Sequence, residues 1–282
     1  MKKVKWVIDK GMFEEYEDRL VSAIKNSGSD VIFYDDLKHD ITDFLNKKNN
    51  VDDVIIFHGS LQHGRKIAKT SYYPGVYLTL ENYECYKYYG YFGYLLLNYN
   101  YLMMGLNDVL RQKDFIFDTF GTDKIFIRPS NGYKSFPGQT LPKENFEFEL
   151  NVLMKSYGGL DLDQLVLVSP IQEIDEEYRF IVVDGKVVSG SLYMDKNNRK
   201  SWSAYYDKVC EDKKAFEFAE QLAKIYQPDK AYTLDVCKLP NGEYKMLEVN
   251  SLCCGSMYGN DYEKVVNAIN ELCLQDFNEI FD

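Results

Sequence analysis

The sequence predicts an α+β protein whose first third is of α/β type. Three observations carry that expectation. Strand and helix patterns alternate from Val4 to Phe57, strand patterns joined by tight turns run from Ile125 to Val249, and helical spacing returns within 215–226 and 262–272. The first pattern builds a parallel sheet with crossover helices, and the second builds antiparallel hairpins. With 282 residues the chain can form one large domain or two to three small ones, each with a buried core.

Each element has its own justification. Val4 to Ile8 reads as an opening strand with charged residues at its edge. Phe13, Tyr16, Leu20, Ala23 and Ile24 then recur at helical spacing, and Gly28 stops that helix. Val31 to Tyr34 and Val54 to Phe57 give two further strands, the last running into His58-Gly59-Ser60-Leu61. Such a turn, at a strand's carboxyl end, is where polar groups can meet a ligand. Residues 72–101 hold eleven tyrosines but a single basic residue, so amphipathic packing between domains is expected in preference to base stacking. Leu102 to Leu110 is expected to be a short helix. Ile125 to Pro129 is a strand, Ser130-Asn131-Gly132 a turn, and Phe146 to Leu150 either a strand or a helix start. Leu165 to Val168, Tyr178 to Val183 and Lys186 to Tyr193 are strands, the last two joined at Asp184-Gly185. Ala215, Phe216, Ala219, Leu222, Ala223 and Tyr226 mark one face of a helix closed by Pro228. Tyr232 to Leu239 and Tyr244 to Val249 form a hairpin around Pro240-Asn241-Gly242, and Tyr262, Val265, Val266, Ile269 and Leu272 give a terminal helix.

Composition narrows the function classes. Hydrophobic content of 45% and charged content of 27% are ordinary for a soluble globular chain. The formal charge of −11 is spread without a Lys/Arg stripe, which argues against gripping nucleic acid. No apolar run reaches membrane-spanning length, and the opening residues lack the apolar core of a signal peptide. The six cysteines (85, 210, 237, 253, 254, 273) contain no CxxC pair, so reduced thiols in a cytosol fit better than zinc or disulfides. Cys253-Cys254 is expected to pack as small apolar side chains rather than act as a redox pair.

The last hairpin carries the most specific chemistry. Glu248 and Asn250 share a strand face, roughly 7 Å apart at their roots, and folding brings Asp235 alongside. Two carboxylates and an amide oxygen with open positions left over suit Mg²⁺ carrying nucleotide phosphates. Arg128 ends a β run, and Lys134 follows across a turn containing Gly132. A fixed guanidinium and a flexible ammonium facing one pocket would pair with phosphate oxygens. Arg179, in Glu177-Tyr-Arg-Phe, would join the cation in neutralising charge on a terminal phosphate.

The order of these motifs resembles the ATP-grasp superfamily, and within it the bacterial and phage clade named for two arginines and a lysine. The motifs are Ile127-Arg128-Pro129, Lys134-Ser-Phe-Pro-Gly138, Glu177-Tyr-Arg179 with its Asp184-Gly185 hairpin, and Glu248-Val-Asn250. The resemblance implies an ATP-grasp fold, two α+β lobes around an ATP cleft preceded by a small parallel-sheet domain. Its three parts would be an N-terminal α/β domain (1–115), a lid lobe (116–168) and a C-terminal metal-binding lobe (169–282). Arg128 and Lys134 would hang from the lid, while Asp235, Glu248 and Asn250 would bind Mg²⁺. The segment Val168 to Ile171 would offer backbone groups to adenine; Pro170 has no N–H, so Ser169 and Ile171 would supply them. Glu177 would take a ribose hydroxyl or pair with Arg179. Arg128 stands where most of the superfamily has lysine, and the lid loop has few glycines, so phosphate cover is expected to be less complete.

The implied activity is ATP-dependent carboxylate–amine ligation through an acyl phosphate, in the cytoplasm, on small-molecule or peptide substrates. Positioning and charge neutralisation by Arg128, Lys134, Arg179 and Mg²⁺ would carry it without a protein nucleophile. The sequence has neither a GxSxG elbow nor a GxxxxGK[ST] loop, which fits that picture. Phosphoryl transfer to a hydroxyl, a nucleotide-binding protein without chemistry, and a nucleic-acid-modifying enzyme are the rival readings. His58, Ser60, His63 and Arg65 are candidates for the acceptor site, an ordinary loop being the alternative.

Overall fold

The computed structural model describes residues 2–35, 39–50, 52–157, 160–197 and 208–281. The chain divides into two compact units, one formed by Met1–Thr79 with Ile174–Asp282 and the other by Leu80–Glu173.

The first unit contains two sheets. In the parallel one, β1 (Val4–Asp9) lies between β2 (Asp30–Tyr34) and β3 (Val54–His58), and β4 (Tyr73–Gly75) adds to β3. Nearly every residue of β1 and all of β3 is buried, as strands covered on both faces must be. Helix α1 (Glu17–Asn26) buries Leu20, Ala23 and Ile24; Phe13 and Tyr16 are buried too, but in the turn before it. Two helices that periodicity did not reveal are α2 (Ile41–Lys48) and α3 (Leu61–Ile67). Each begins at a side-chain cap, Asp40 accepting from the Thr42 N–H and Ser60 from the His63 N–H.

The antiparallel sheet runs β10-β9-β11-β12, with β9 (Glu176–Val183), β10 (Lys186–Asp195), β11 (Ala231–Lys238) and β12 (Tyr244–Ser251). Asp184 and Gly185 both have positive φ (48° and 72°), the primed turn that a two-residue hairpin requires. Helix α8 (Lys213–Ala223) packs on one face, with Phe216 edge-on to Phe180 at 5.0 Å. The terminal helix α9 (Tyr262–Phe281) joins the two sheets. Its Val265, Val266, Ile269 and Leu272 share one core with Val4, Trp6 and Ile8 and with Ile181 and Val183. Trp6 Nε1 donates to Asn270 Oδ1 at 2.9 Å inside that core.

The second unit is a four-stranded antiparallel sheet in the order β5-β8-β6-β7, formed by β5 (Leu102–Gly105), β6 (Lys124–Pro129), β7 (Gln139–Pro142) and β8 (Leu165–Pro170). Leu102 to Leu110 is therefore not one helix. Its first four residues pair with β8, from Leu102 opposite Val168 to Gly105 opposite Leu165, and only Leu106–Arg111 is helical, as α5. Sheet pairing overrides the local helical pattern there. Phe146 opens α7 (Phe146–Ser156), and α6 (Lys113–Phe120) was not anticipated. Ile125, Ile127, Val166 and Val168 point into a core with α5, α6 and α7. In the tyrosine-rich segment, α4 (Cys85–Phe92) buries Tyr88, Tyr89 and Phe92 and exposes Tyr86 and Tyr91.

Candidate active site

The register of the antiparallel sheet assembles the strand-borne residues. Arg179 on β9 lies opposite Asp235 on β11, and Asp235 lies opposite Glu248 on β12. Directly opposed side chains share a face, so the three form a row across adjacent strands. Asn250, two residues beyond Glu248 and opposite Thr233, points the same way. A β-bulge at Leu247 makes this possible. The pairs from Tyr232–Ser251 to Asp235–Glu248 keep one register, and those from Val236–Met246 to Lys238–Tyr244 are shifted by one residue. Carrying the turn's register through would turn Glu248 and Asn250 to the opposite face, so the bulge reconciles hairpin and site.

Arg179 is the centre of the cluster. Its Nε donates to Asp235 Oδ1 at 2.8 Å, its Nη2 to Asp235 Oδ2 at 2.6 Å and its Nη1 to the Ser256 carbonyl at 3.2 Å. Arg179 is 8% exposed and Asp235 1%. Burial works against the guanidinium's charge, but Asp235's charge and hydrogen bonds outweigh it and raise the affinity of Arg179 for its proton. The rings of Tyr193 and Tyr258 stack at 4.8 Å, and the guanidinium carbon lies 5.5 Å and 5.1 Å from their centroids. Tyr193 is the extra residue of a bulge in β10, and its hydroxyl donates to Glu177 Oε2 at 2.8 Å. Burial, with Asp235 and Glu177 nearby, pushes the Tyr193 phenol well above its usual range, so it remains that donor. Asn250 Nδ2 donates to Glu248 Oε1 at 2.9 Å, which orients the carboxylate.

The loop after β12 completes the cluster, and the sequence reading missed it. Tyr258 has φ +47°, a strained value for an aromatic residue. Asn260 Nδ2 donates to the carbonyls of Arg179 and Met257, and the Gly259 N–H donates to Ser191 Oγ. A Cβ on Gly259 would lie 2.5 Å from the Lys208 backbone nitrogen, so any side chain there would force the backbone to shift. The available signal was Gly255-Ser256-Met257-Tyr258-Gly259-Asn260, a glycine-containing turn that begins five residues after Asn250.

Arg128, Lys134, Ser169 and Ile171 belong to the second unit. Arg128 alternates with Ile125 and Ile127 on β6, so it shares the face of Phe126, opposite the helical core, and pairs with Leu167. Lys134 is exposed in the β6–β7 connection with φ +50°. That connection is braced by Gln164, whose Oε1 accepts from Ser135 Oγ at 2.6 Å and Asn131 Nδ2 at 3.0 Å, and by buried Phe136. Ser169, opposite Phe126, is fully buried, and its hydroxyl has no hydrogen-bond partner among the described residues. Ile171 follows β8 at the surface, two residues before the second unit ends at Glu173.

The acceptor-site candidates divide. His58 is buried against Phe13, with Nδ1 3.1 Å from the Leu252 carbonyl and Nε2 3.2 Å from the Tyr16 hydroxyl. Burial lowers its pKa to about 4, which makes it a neutral packing residue. Ser60 caps α3 and gives its N–H to Asp9 Oδ2, while His63 Nδ1 lies 2.9 Å from the same oxygen. Arg65 is exposed on α3.

No cluster of three or more His, Cys, Asp or Glu side chains disposed to hold a metal occurs among the described residues. Asp235, Glu248 and Asn250 instead offer two carboxylates and one amide on a single face. Such a set fits a hard cation that brings water and phosphate as its remaining ligands, as Mg²⁺ does. All six cysteines are free thiols.

Comparison with known proteins follows the same lines. The chain resembles D-alanine–D-alanine ligase from Bacillus anthracis at 12% identity over 99% of both chains, with a TM-score of 0.66. It resembles a Chryseobacterium gregarium RiPP-associated ATP-grasp ligase, solved with ADP and a leader and core peptide, at 13% identity over 98% of this chain and 97% of that one, with a TM-score of 0.60. D-cycloserine synthetase DcsG matches at 11% identity over 96% and 99%, with a TM-score of 0.62. A search of curated proteins finds no match. At these identities the likeness establishes the fold, which is the ATP-grasp fold. The model of the ATP-grasp domain of R2K clade family 2 matches residues 115–268, more than half of the sequence and all the motifs from Ile127-Arg128-Pro129 to Glu248-Val-Asn250, and the chain belongs to that family.

Proposed function

We propose that the protein is an ATP-dependent carboxylate–amine ligase. The observation that carries this reading is the row Arg179–Asp235–Glu248–Asn250, fixed by strand register inside the segment that the family model covers. A substrate carboxylate oxygen attacks the γ-phosphorus of ATP, ADP leaves, and an acyl phosphate forms. The amine nitrogen then attacks the acyl carbon, phosphate departs, and the nitrogen releases a proton to give the amide. Arg128 and Lys134 hold the polyphosphate, and Arg179 faces charge that develops on the transferred group. Ser169 and Ile171 supply backbone contacts to the base, and the Ser169 hydroxyl, without a hydrogen-bond partner among the described residues, is a further donor for the ligand. Glu177, held by Tyr193, is the acceptor for a ribose hydroxyl. Asp235, Glu248 and Asn250 would hold Mg²⁺, whose part is to offset phosphate charge.

The division into 1–115, 116–168 and 169–282 then assigns acceptor recognition, phosphate cover and metal binding to successive segments, and the enzyme works in the cytoplasm. Ligases of this fold act on D-alanine in one neighbour and hold a leader and core peptide in another, so both small carboxylates and peptides belong in the substrate screen. The test is ADP release from Mg-ATP on pooled carboxylates and amines, with the product analysed for an amide bond. Glu248→Ala is expected to abolish turnover and the Mg²⁺-dependent thermal shift by ATP while keeping the fold. Normal turnover in that variant, or ADP release without any amine, would overturn the ligase assignment.

A further inference from the structure

Asp235 faces two claims on one carboxylate. It neighbours Glu248 across one strand gap and Arg179 across the other, and both of its oxygens already accept from the guanidinium. The arrangement is built in rather than a surface rotamer. The two side chains are 10% and 2% exposed, Arg179 Nη1 is tied to the Ser256 carbonyl, and the Tyr193–Tyr258 stack lies against the guanidinium. A divalent ion drawing on Asp235 therefore meets a neutralised carboxylate with a fixed positive charge directly behind it.

The geometry points to Arg179 as the resident cation of the metal site. It occupies Asp235 in the nucleotide-free protein and keeps a lone divalent ion out. It gives up that charge only when a phosphate arrives with the ion and takes over the guanidinium. The inference rests on the proposed reading of Asp235, Glu248 and Asn250 as cation ligands. Charge explains the coupling. Arg179, Asp235 and Glu248 together carry one negative charge, so a bare dication would leave the row positive around the buried Arg179–Asp235 pair. A metal–nucleotide complex brings the anion that both cations need. Cation and nucleotide then enter together, and free divalent metal is not stored in the site.

Mn²⁺ binding to the full chain, followed by electron paramagnetic resonance with and without ADP, tests this. Wild-type protein is expected to bind Mn²⁺ at least about tenfold more weakly without ADP than with it. Arg179→Gln, with its fold checked by circular dichroism, is expected to bind Mn²⁺ alone at least about tenfold more tightly than wild type. Arg179→Lys, which keeps the charge and covers the case in which the glutamine variant does not fold, is expected to remain as weak as wild type. The inference is overturned by a folded Arg179→Gln that binds Mn²⁺ alone no better than wild type, by wild type binding Mn²⁺ equally with and without ADP, or by an Arg179→Lys that tightens like the loss of charge. Glu248→Gln separates the two readings. If Mn²⁺–ADP binding does not depend on Glu248, the metal site itself is misassigned. If it does and Arg179 has no influence, only the resident-cation role falls.

Discussion

Arg179 and Lys134 are both proposed to meet phosphate, yet the chain holds them in opposite ways. Arg179 projects from mid-strand, is buried, and uses three nitrogens on fixed partners within the protein. Lys134 stands exposed on a turn, at a left-handed backbone angle, in a connection braced through Asn131, Ser135 and Phe136 around it. In the strand-built half, the groups that would bind ligand also satisfy one another, so function and stability cannot be separated. In the loop-built half the scaffold is anchored by neighbours and the charged residue stands exposed on the turn.

The largest effect should come from breaking the strand-built pair. Asp235→Ala leaves a buried guanidinium without its carboxylate, and losing one member of such a pair costs about 3–5 kcal/mol. Denaturant unfolding of the variant is expected to show a loss of that size, alongside loss of Mg²⁺-dependent ATP binding. A loss below about 1 kcal/mol would mean that the pair behaves like an exposed one.

His58 sharpens the comparison from within the same unit. It is as buried as Arg179, but its hydrogen-bond partners among the described residues are a carbonyl and a phenol, so it remains neutral. Its folded pKa of about 4 lies below the unfolded value of 6.5. Protons therefore bind the unfolded chain first: its contribution is complete above pH 6.5 and drains away as pH falls toward 4. The gap corresponds to roughly 3 kcal/mol. Stability measured from pH 7 to pH 4 should fall in wild type and fall less in His58→Phe. Equal slopes in the two proteins would place the acid sensitivity elsewhere.

Much of this contrast was legible in the sequence, for physical reasons. Strands β9 to β12 announce themselves through tight turns and alternation, and Glu248 and Asn250 could be placed on one face from spacing alone, with Asp235 on the strand beside them. The bulge at Leu247 could not be read, because a one-residue register shift leaves no mark in composition. Nor could the Arg179–Asp235 pairing, which depends on which strand lies next to which. Tyr193 and Tyr258 are two of 24 tyrosines, and only the fold sets them against Arg179. Leu102–Gly105 misled because a short apolar run suits helix and strand alike until a partner strand is known.

Gly259 offers a mid-sized test of the loop behind Arg179. Alanine there drives a methyl group toward the Lys208 backbone, which cannot yield as a flexible side chain would. Forced overpacking of this kind costs typically about 1–3 kcal/mol. Gly259→Ala should lose stability in that range and weaken Mg²⁺–ATP binding by displacing Tyr258 and Ser256 from the guanidinium. Intact binding at reduced stability would show that the loop supports the fold without positioning Arg179.

Lys134→Ala should give the smallest change in stability and so the cleanest separation of the two halves. An exposed side chain outside any core is worth within about 0.5 kcal/mol, and unfolding of the free protein should barely move. A charge-assisted contact to phosphate is worth about 1.5–3 kcal/mol, so ATP affinity measured by calorimetry should fall by about ten- to a hundredfold. The anchors at Asn131, Ser135 and Phe136 remain, which means such a loss would be assigned to the ammonium and not to a collapsed turn. Unchanged affinity would remove Lys134 from the phosphate site and leave Arg128 as the basic group proposed for it on the second unit.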